Sequence, residues 1–184
     1  MPQETTTLEG QVCLITGATR GIGFHTAFGL AQRGAHVIVV GHHEGRGEEA
    51  TQQIRDQAMH GSADFVLADL ASLDGMRHLA DVVRERYHRL DVLVNNVGGF
   101  FLTRQETVDG LEMTFALDHL SYFVVTNVLL DLIWRSAPAR IVNVSSESHR
   151  RGKMHFRDLQ LEEGYTGRRA YSQAKLANLL FTYE

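Results

Sequence analysis

Short β-branched runs alternate with longer amphipathic ones along the whole chain. Residues 12–16, 36–40, 91–95 and 140–144 are almost continuously apolar over strand length, as in strands covered on both faces. A shorter run, Phe65-Val66-Leu67, predicts a third strand between the second and fourth. Between them the apolar positions recur at helical spacing. Ile22, Ala27, Leu30 and Ala31 share one side of a helix that Gly34 stops. Residues 46–60 and 72–88 predict two more helices, the second with Ser72 as its N-cap. A long helix is expected over 110–135, and a last one over 169–184, rich in Ala, Leu and Lys. The order is βαβαβαβαβα, which predicts an α/β domain: a Rossmann-like, doubly wound parallel sheet.

With 184 residues, 43% hydrophobic and 22% charged, the chain suits a single globular domain over 1–184. Lys and Arg number 18 against 22 Asp and Glu, a net charge of −4. That balance gives no basic footprint for nucleic acid or an anionic membrane. One cysteine excludes an internal disulfide. The ten histidines, His42, His43, His149 and His155 among them, stand without spaced Cys or acidic partners, so no metal site is expected. No apolar run of membrane-spanning length is read, and the first ten residues do not resemble a leader, so a cytoplasmic protein with no membrane segment is expected.

The first strand runs directly into Thr16-Gly17-Ala18-Thr19-Arg20-Gly21-Ile22-Gly23, followed by a helix. Glycines there allow a tight turn, close approach of backbone to a pyrophosphate and tight helix–strand packing. The helix N-terminus adds free N–H groups for the phosphates. A plain glycine-rich turn is the competing reading. Where the second strand ends, an NAD reader places an acid for the ribose hydroxyl; here the chain reads Val40-Gly41-His42-His43. Arg20, assisted by His42, would instead pair with a 2′-phosphate, which favours NADP(H) over NAD(H). The alternative is that both are solvated loop residues. Asp69-Leu70 after the third strand is a candidate for the adenine amino group, and Asn95 to Gly98 after the fourth for the turn beneath the cofactor.

Tyr171 and Lys175 stand four apart on one helix face. A free tyrosine titrates near pH 10, and a neighbouring ammonium favours a phenolate, so such a pair can serve as proton donor and acceptor. Upstream, Val142-Asn143-Val144-Ser145-Ser146 ends a strand in serine at the carboxyl edge of the sheet.

Taken in order, TGATRGIG at 16–23, DL at 69–70, NNVG at 95–98, NVSS at 143–146 and YSQAK at 171–175 make the chain resemble the short-chain dehydrogenase/reductase family. It most resembles the retinol dehydrogenase-like members, through 140–146, 152–160 and 170–178. The resemblance implies hydride transfer between a nicotinamide cofactor and a hydrophobic alcohol or carbonyl compound. Tyr171 would be the general acid/base, Lys175 would hold the nicotinamide ribose, and Ser146 would bind the substrate oxygen, with Ser145 structural. Gly17, Arg20, Gly21, Ile22, Gly23, His42, Asp69, Leu70, Asn95 and Gly98 would contact the cofactor. Homo-oligomers, dimeric or tetrameric, would pair through the 110–135 and 169–184 helices.

Two departures stand out. Asp118 occupies a position where similar sequences have asparagine, whose role is to hold a water linked to the lysine. A carboxylate there only accepts hydrogen bonds, and would stabilise the Lys175 ammonium while offsetting its pull on Tyr171. The chain also ends at Glu184, inside the helix with the Tyr–Lys pair, whereas the family continues with further strands and a substrate lid. The expected fold is therefore truncated after that helix, with strand five left at an edge. A cofactor-binding fragment or subunit without turnover is the rival to an enzyme. Met154 and Phe156 are candidates for the substrate entrance.

Overall fold

The computed structural model describes residues 7–58 and 60–184. Five strands, β1 (Val12–Thr16), β2 (His36–Gly41), β3 (Ser62–Leu67), β4 (Val92–Asn95) and β5 (Arg140–Asn143), form one parallel sheet in the order β3-β2-β1-β4-β5. The crossovers carry α1 (Gly21–Ala31), α2 (Glu44–Gln57), α3 (Leu73–Arg86), then α4 (Met113–Phe115) and α5 (Ser121–Arg135) joined by a π-helical turn; α6 (Gly167–Tyr183) follows β5.

Strand alternation deals the apolar residues to two faces. Leu14, Ile38 and Val66 meet Met76 and Leu79 of α3 and Val125 and Leu129 of α5. Cys13, Ile15, Val37 and Val39 meet Ala27 and Ala31 of α1 and Ile54 of α2. Each fully buried Leu, Ile or Val contributes roughly 1.5–3 kcal/mol of transfer free energy. The central strands β1 and β2 are therefore nearly all buried, while β5, at the sheet edge, leaves Ile141 and Val142 exposed. This is the doubly wound sheet that the alternating pattern predicts.

Several boundaries differ from expectation, each for a local reason. β3 begins at Ser62, three residues before the apolar run, because Ser62, Ala63 and Asp64 pair in register with His36, Val37 and Ile38. The polar Asp64 is accommodated there by the Tyr87 hydroxyl at 2.7 Å and the Arg55 guanidinium at 3.1 Å. Helix α2 starts at Glu44 rather than residue 46, since the His43 imidazole caps it by accepting the Arg46 N–H. The long helix begins at Met113 rather than Gly110, whose φ of +73° belongs to a turn. The Glu112 carboxylate caps it through the Thr114 and Phe115 N–H groups at 2.8 and 2.7 Å. Met113–Arg135 is also, contrary to expectation, long and apolar enough to cross a membrane, with a mean hydropathy of 1.3. Half of that stretch is buried here, packed on α3 and the sheet as a core helix. A 3-10 turn at Glu147–Arg151 was not expected. Residues 1–6, where no leader was expected, and Met59, expected in α2, lie outside the described residues.

The sheet reverses its direction of growth between β1 and β4. In open α/β sheets that switch point leaves a crevice beyond the strand carboxyl ends. Thr16, at the end of β1, is buried; its hydroxyl accepts the Asn96 and Val97 N–H groups at 2.9 and 3.1 Å. One residue earlier, the buried Asn95 amide donates to Thr126 on α5 (2.9 Å) and to Asn143 on β5 (2.8 Å). Replacing Asn95 by Ala should therefore cost about 1–3 kcal/mol of stability. Urea denaturation checks this: the midpoint should fall while the slope stays unchanged.

Candidate active site

The loop from β1 into α1 closes on the loop after β4. The Asn96 amide donates to the carbonyls of Thr16 (2.8 Å) and Gly17 (3.2 Å). The approach is close enough to require glycine. A Cβ at Gly17 would lie 2.8 Å from the Val97 Cα, and one at Gly23 would lie 2.5 Å from the Gly17 carbonyl oxygen. Helix α1 has neither a side-chain cap nor an acid in its first turn, whereas His43, Ser72 and Thr166 cap α2, α3 and α6. Its free N–H groups and positive dipole end face a cavity of about 320 Å³ beside Gly17, Arg20, Gly21 and His42. An uncapped helix end in a glycine cradle fits a pyrophosphate. Gly41 closes the far wall, and a Cβ there would lie 2.4 Å from the Thr19 methyl group. Among the described residues no carboxylate lines this cavity.

Ile22, Asn96 and Gly98 also line a second cavity of about 990 Å³, so the two form one groove. Ser146, Tyr171 and Lys175 lie along the second part. Helix α6, capped by Thr166 through the Arg169 N–H, carries Tyr171 and Lys175. Ser145 is structural: its hydroxyl donates to the Lys175 carbonyl at 2.9 Å, which clips β5 to α6. Ser146 then turns into the groove as the cap of the 3-10 turn, its oxygen accepting the Ser148 N–H. The Lys175 ammonium sits 5.5 Å from the centre of the Tyr171 ring.

Behind Lys175 lies a wholly buried cluster. The ammonium is 3.8 Å from an Asp118 carboxylate oxygen and 3.4 Å from the Tyr122 hydroxyl, to which it donates. The π-helical turn Ala116–Leu120 carries Asp118, and Gly99 N–H donates to its other oxygen at 2.7 Å. The oxygen facing Lys175 has no hydrogen bond among the described residues. Burial pushes the Asp118 carboxyl up to about 7, against the opposing pull of Lys175 and Gly99. Burial likewise pushes the Lys175 ammonium down, with Asp118 opposing. Desolvation outweighs a pair this loosely made. Asp118 is not among the groove-lining residues; it stands behind Lys175 and is a positioning residue rather than a catalytic one. Its carbonyl accepts the Asn178 amide at 2.8 Å.

Other expected contacts divide. Ile22 is 71% exposed and overhangs both parts of the groove. Leu70 and Gly98 line it, but the Asp69 carboxylate turns back to accept the Ala71 N–H at 3.0 Å. Asn95 points into the core because strand alternation gives the open side to Asn96, the second asparagine of the expected Asn95–Gly98 turn, which pins it to the glycine loop. Phe156 lies in a separate depression with Asp158 and Glu162. Tyr122, Arg151 and Arg168 were missed; the doublets Arg150-Arg151 and Arg168-Arg169, each close to a motif, were the available signal for the arginines.

The Asp118 shift has a sign that can be checked. A carboxyl titrating higher in the folded state than in the unfolded one contributes stability at low pH that is lost as pH rises from about 4 to 7. Asp118→Asn cannot ionise. Its stability relative to the parent protein should therefore rise between pH 4 and pH 8, as urea denaturation at several pH values will show.

Comparison with known proteins agrees with this geometry. The profile of the short chain dehydrogenase family matches residues 11–158. Mouse (Mus musculus) retinol dehydrogenase 14 is 41% identical over 96% of this chain and 56% of its own length. An uncharacterized protein from Mycobacterium Paratuberculosis superposes with a TM-score of 0.84 at 37% identity, over 96% of this chain and 62% of that one. The NADP complex of Pseudomonas aeruginosa RhlG gives a TM-score of 0.78 at 30% identity, over 96% and 66%. The chain thus spans about half the length of the curated relatives it matches. With the fold, the glycine loop and the Ser–Tyr–Lys groove in agreement, the chain belongs to the short chain dehydrogenase family.

Proposed function

We propose that the protein is an NADP(H)-preferring oxidoreductase that interconverts a hydrophobic alcohol and its carbonyl form. The observation that carries this reading is the single groove from the uncapped end of α1 to Ser146, Tyr171 and Lys175. The NADP held by RhlG and the retinol dehydrogenases among the relatives support the cofactor and substrate classes. When bound, the cofactor supplies a hydride, two electrons with one hydrogen, to a carbonyl carbon, or takes one from the alcohol. The chain's own groups handle the proton. The Ser146 hydroxyl donates a hydrogen bond to the carbonyl oxygen and fixes its place. The Tyr171 hydroxyl delivers its proton to that oxygen as the C–O double bond becomes single. The Lys175 charge stabilises the negative oxygen that Tyr171 then carries, until a solvent proton replaces the one given up. Phe100, edge-on to Tyr171 at 5.7 Å, adds an apolar wall. Two copies would pair through α5 and α6, whose exposed Phe123, Leu130, Trp134 and Leu180 support such an interface.

Arg20 and His42 at the adenosine end, with no acid beside them, favour a 2′-phosphate. NADPH should bind at least tenfold tighter than NADH, a gap of about 1.4 kcal/mol. Fluorescence titration checks this, and Arg20→Ala should remove most of the preference.

Tyr171→Phe keeps the ring and removes the proton. Turnover of a carbonyl panel should fall by at least about 10²-fold while NADPH affinity stays within twofold. Substantial residual turnover would point to another acid/base.

A further inference from the structure

The substrate end of the groove has a charge that a neutral substrate does not explain. The protein as a whole carries −4. The large cavity is nevertheless lined by Arg151, Arg168, Arg169 and Lys175, with no Asp or Glu among the described residues of its walls. Two of these cations are already engaged. Lys175 faces Asp118, and Arg169 donates to the Glu163 and Gly164 carbonyls and to the ring of His155. Arg150, beside Arg151, is neutralised by Glu147 at 2.9 Å. Arg151 and Arg168 have neither an ion pair nor a hydrogen bond from their side chains among the described residues. Both are exposed at the cavity rim.

The rim that presents them is built rather than loose. Gly152 fixes the end of the 3-10 turn against α6, where a Cβ would lie 2.4 Å from the Ser172 carbonyl oxygen. The Gln173 side chain accepts the His155 N–H and donates to the Leu159 carbonyl, both at 2.9 Å, which ties the intervening loop to the same helix. Arg168 stands in the first turn of α6, three residues before Tyr171. Cations are unfavourable near a helix N-terminus, so its position has a cost that an anion beside it would offset.

We propose that the substrate carries a carboxylate, which Arg151 and Arg168 receive at the rim while the reacting carbon lies at Ser146 and Tyr171. A guanidinium binds a carboxylate through two parallel charge-assisted hydrogen bonds, and two such groups free of other partners form a ready receptor. Ser148 and Thr166, whose hydroxyl also caps α6, line the same cavity. The substrate class narrows from a hydrophobic alcohol or carbonyl compound to an amphipathic one, a hydroxy or oxo acid with an apolar body. This rests on the oxidoreductase reading, and deepens it.

The test separates the two. Decanoate, which cannot react, is titrated calorimetrically into the full chain with and without NADPH, alongside decan-1-ol. Decanoate should bind at least tenfold tighter than the alcohol, and the Arg151→Ala/Arg168→Ala double variant should abolish the difference. NADPH binding is followed in parallel and tests the underlying reading independently. With turnover, 9-oxononanoate should exceed nonanal in kcat/KM by tenfold or more, and the double variant should bring that ratio close to one. Equal binding of decanoate and decan-1-ol, or an acid-to-alcohol preference that survives in the double variant, would overturn the proposal. A tenfold loss of NADPH affinity in the double variant would also overturn it, by assigning the arginines to the cofactor.

Discussion

The arrangement of the groove depends on one buried hydroxyl. Thr16 ends β1, and its oxygen accepts two successive N–H groups of the loop after β4 while donating to the Val94 carbonyl at 3.4 Å. These bonds span 78 to 81 residues of sequence and draw together the two loops at the point where the sheet reverses. Everything downstream inherits that closeness. Asn96 can reach the Thr16 and Gly17 carbonyls, glycine becomes obligatory at 17 and 23, and the start of α1 is left facing space instead of a capping side chain. A short polar side chain at a strand end thus decides where backbone N–H groups stay free, and free N–H groups are what a phosphate needs.

The second organising feature is the buried charge behind α6. Lys175 sits between a carboxyl and a phenol, and each of the three neighbours is displaced in titration by loss of water, with Tyr122 raised by burial and by Asp118. A close, fully hydrogen-bonded ion pair would fix Lys175 as permanently charged and immobile. A 3.8 Å separation with one carboxylate oxygen unpartnered leaves the lysine less firmly held. The π-helical turn makes this possible, because its extra residue per turn swings Asp118 toward Gly98 and Gly99; such turns are often found at functional sites.

Much of the fold could be read directly because burial on both faces writes β1 and β2 as unbroken apolar runs, and α/β alternation with glycine punctuation then sets the order of elements. What resisted reading was polarity satisfied at long range. Asp64 hides the start of β3, since its partners lie at Arg55 and Tyr87, invisible in a local window. The π-helical turn has no local signature, so the 110–135 helix was read as regular. Within the site, the glycine loop and the Tyr171–Lys175 pair were legible from spacing and Ser146 from the family resemblance, while the split of roles between Asn95 and Asn96 needed the direction of strand alternation at its last residue. The rim arginines went unread because a charged doublet at the end of a short turn or the start of a helix ordinarily means solvation. Only a cavity wall without carboxylates among the described residues gives them a different meaning.

The closeness of Thr19 to Gly41 would constrain any redesign of the proposed dinucleotide preference. The usual route, an acidic side chain at the end of the second strand, is obstructed at Gly41, where even a methyl group would strike the threonine methyl at 2.4 Å. Thr19 would have to be shortened or rotated in the same step, and it belongs to the loop that shapes the phosphate cradle. The neighbouring His42 is exposed and open to replacement, but an acid there would still face Arg20 across the cavity. Removing Arg20 can thus weaken a 2′-phosphate site in one step, but building an acidic ribose site in its place takes a coupled pair of changes, Gly41 with Thr19 or His42 with Arg20.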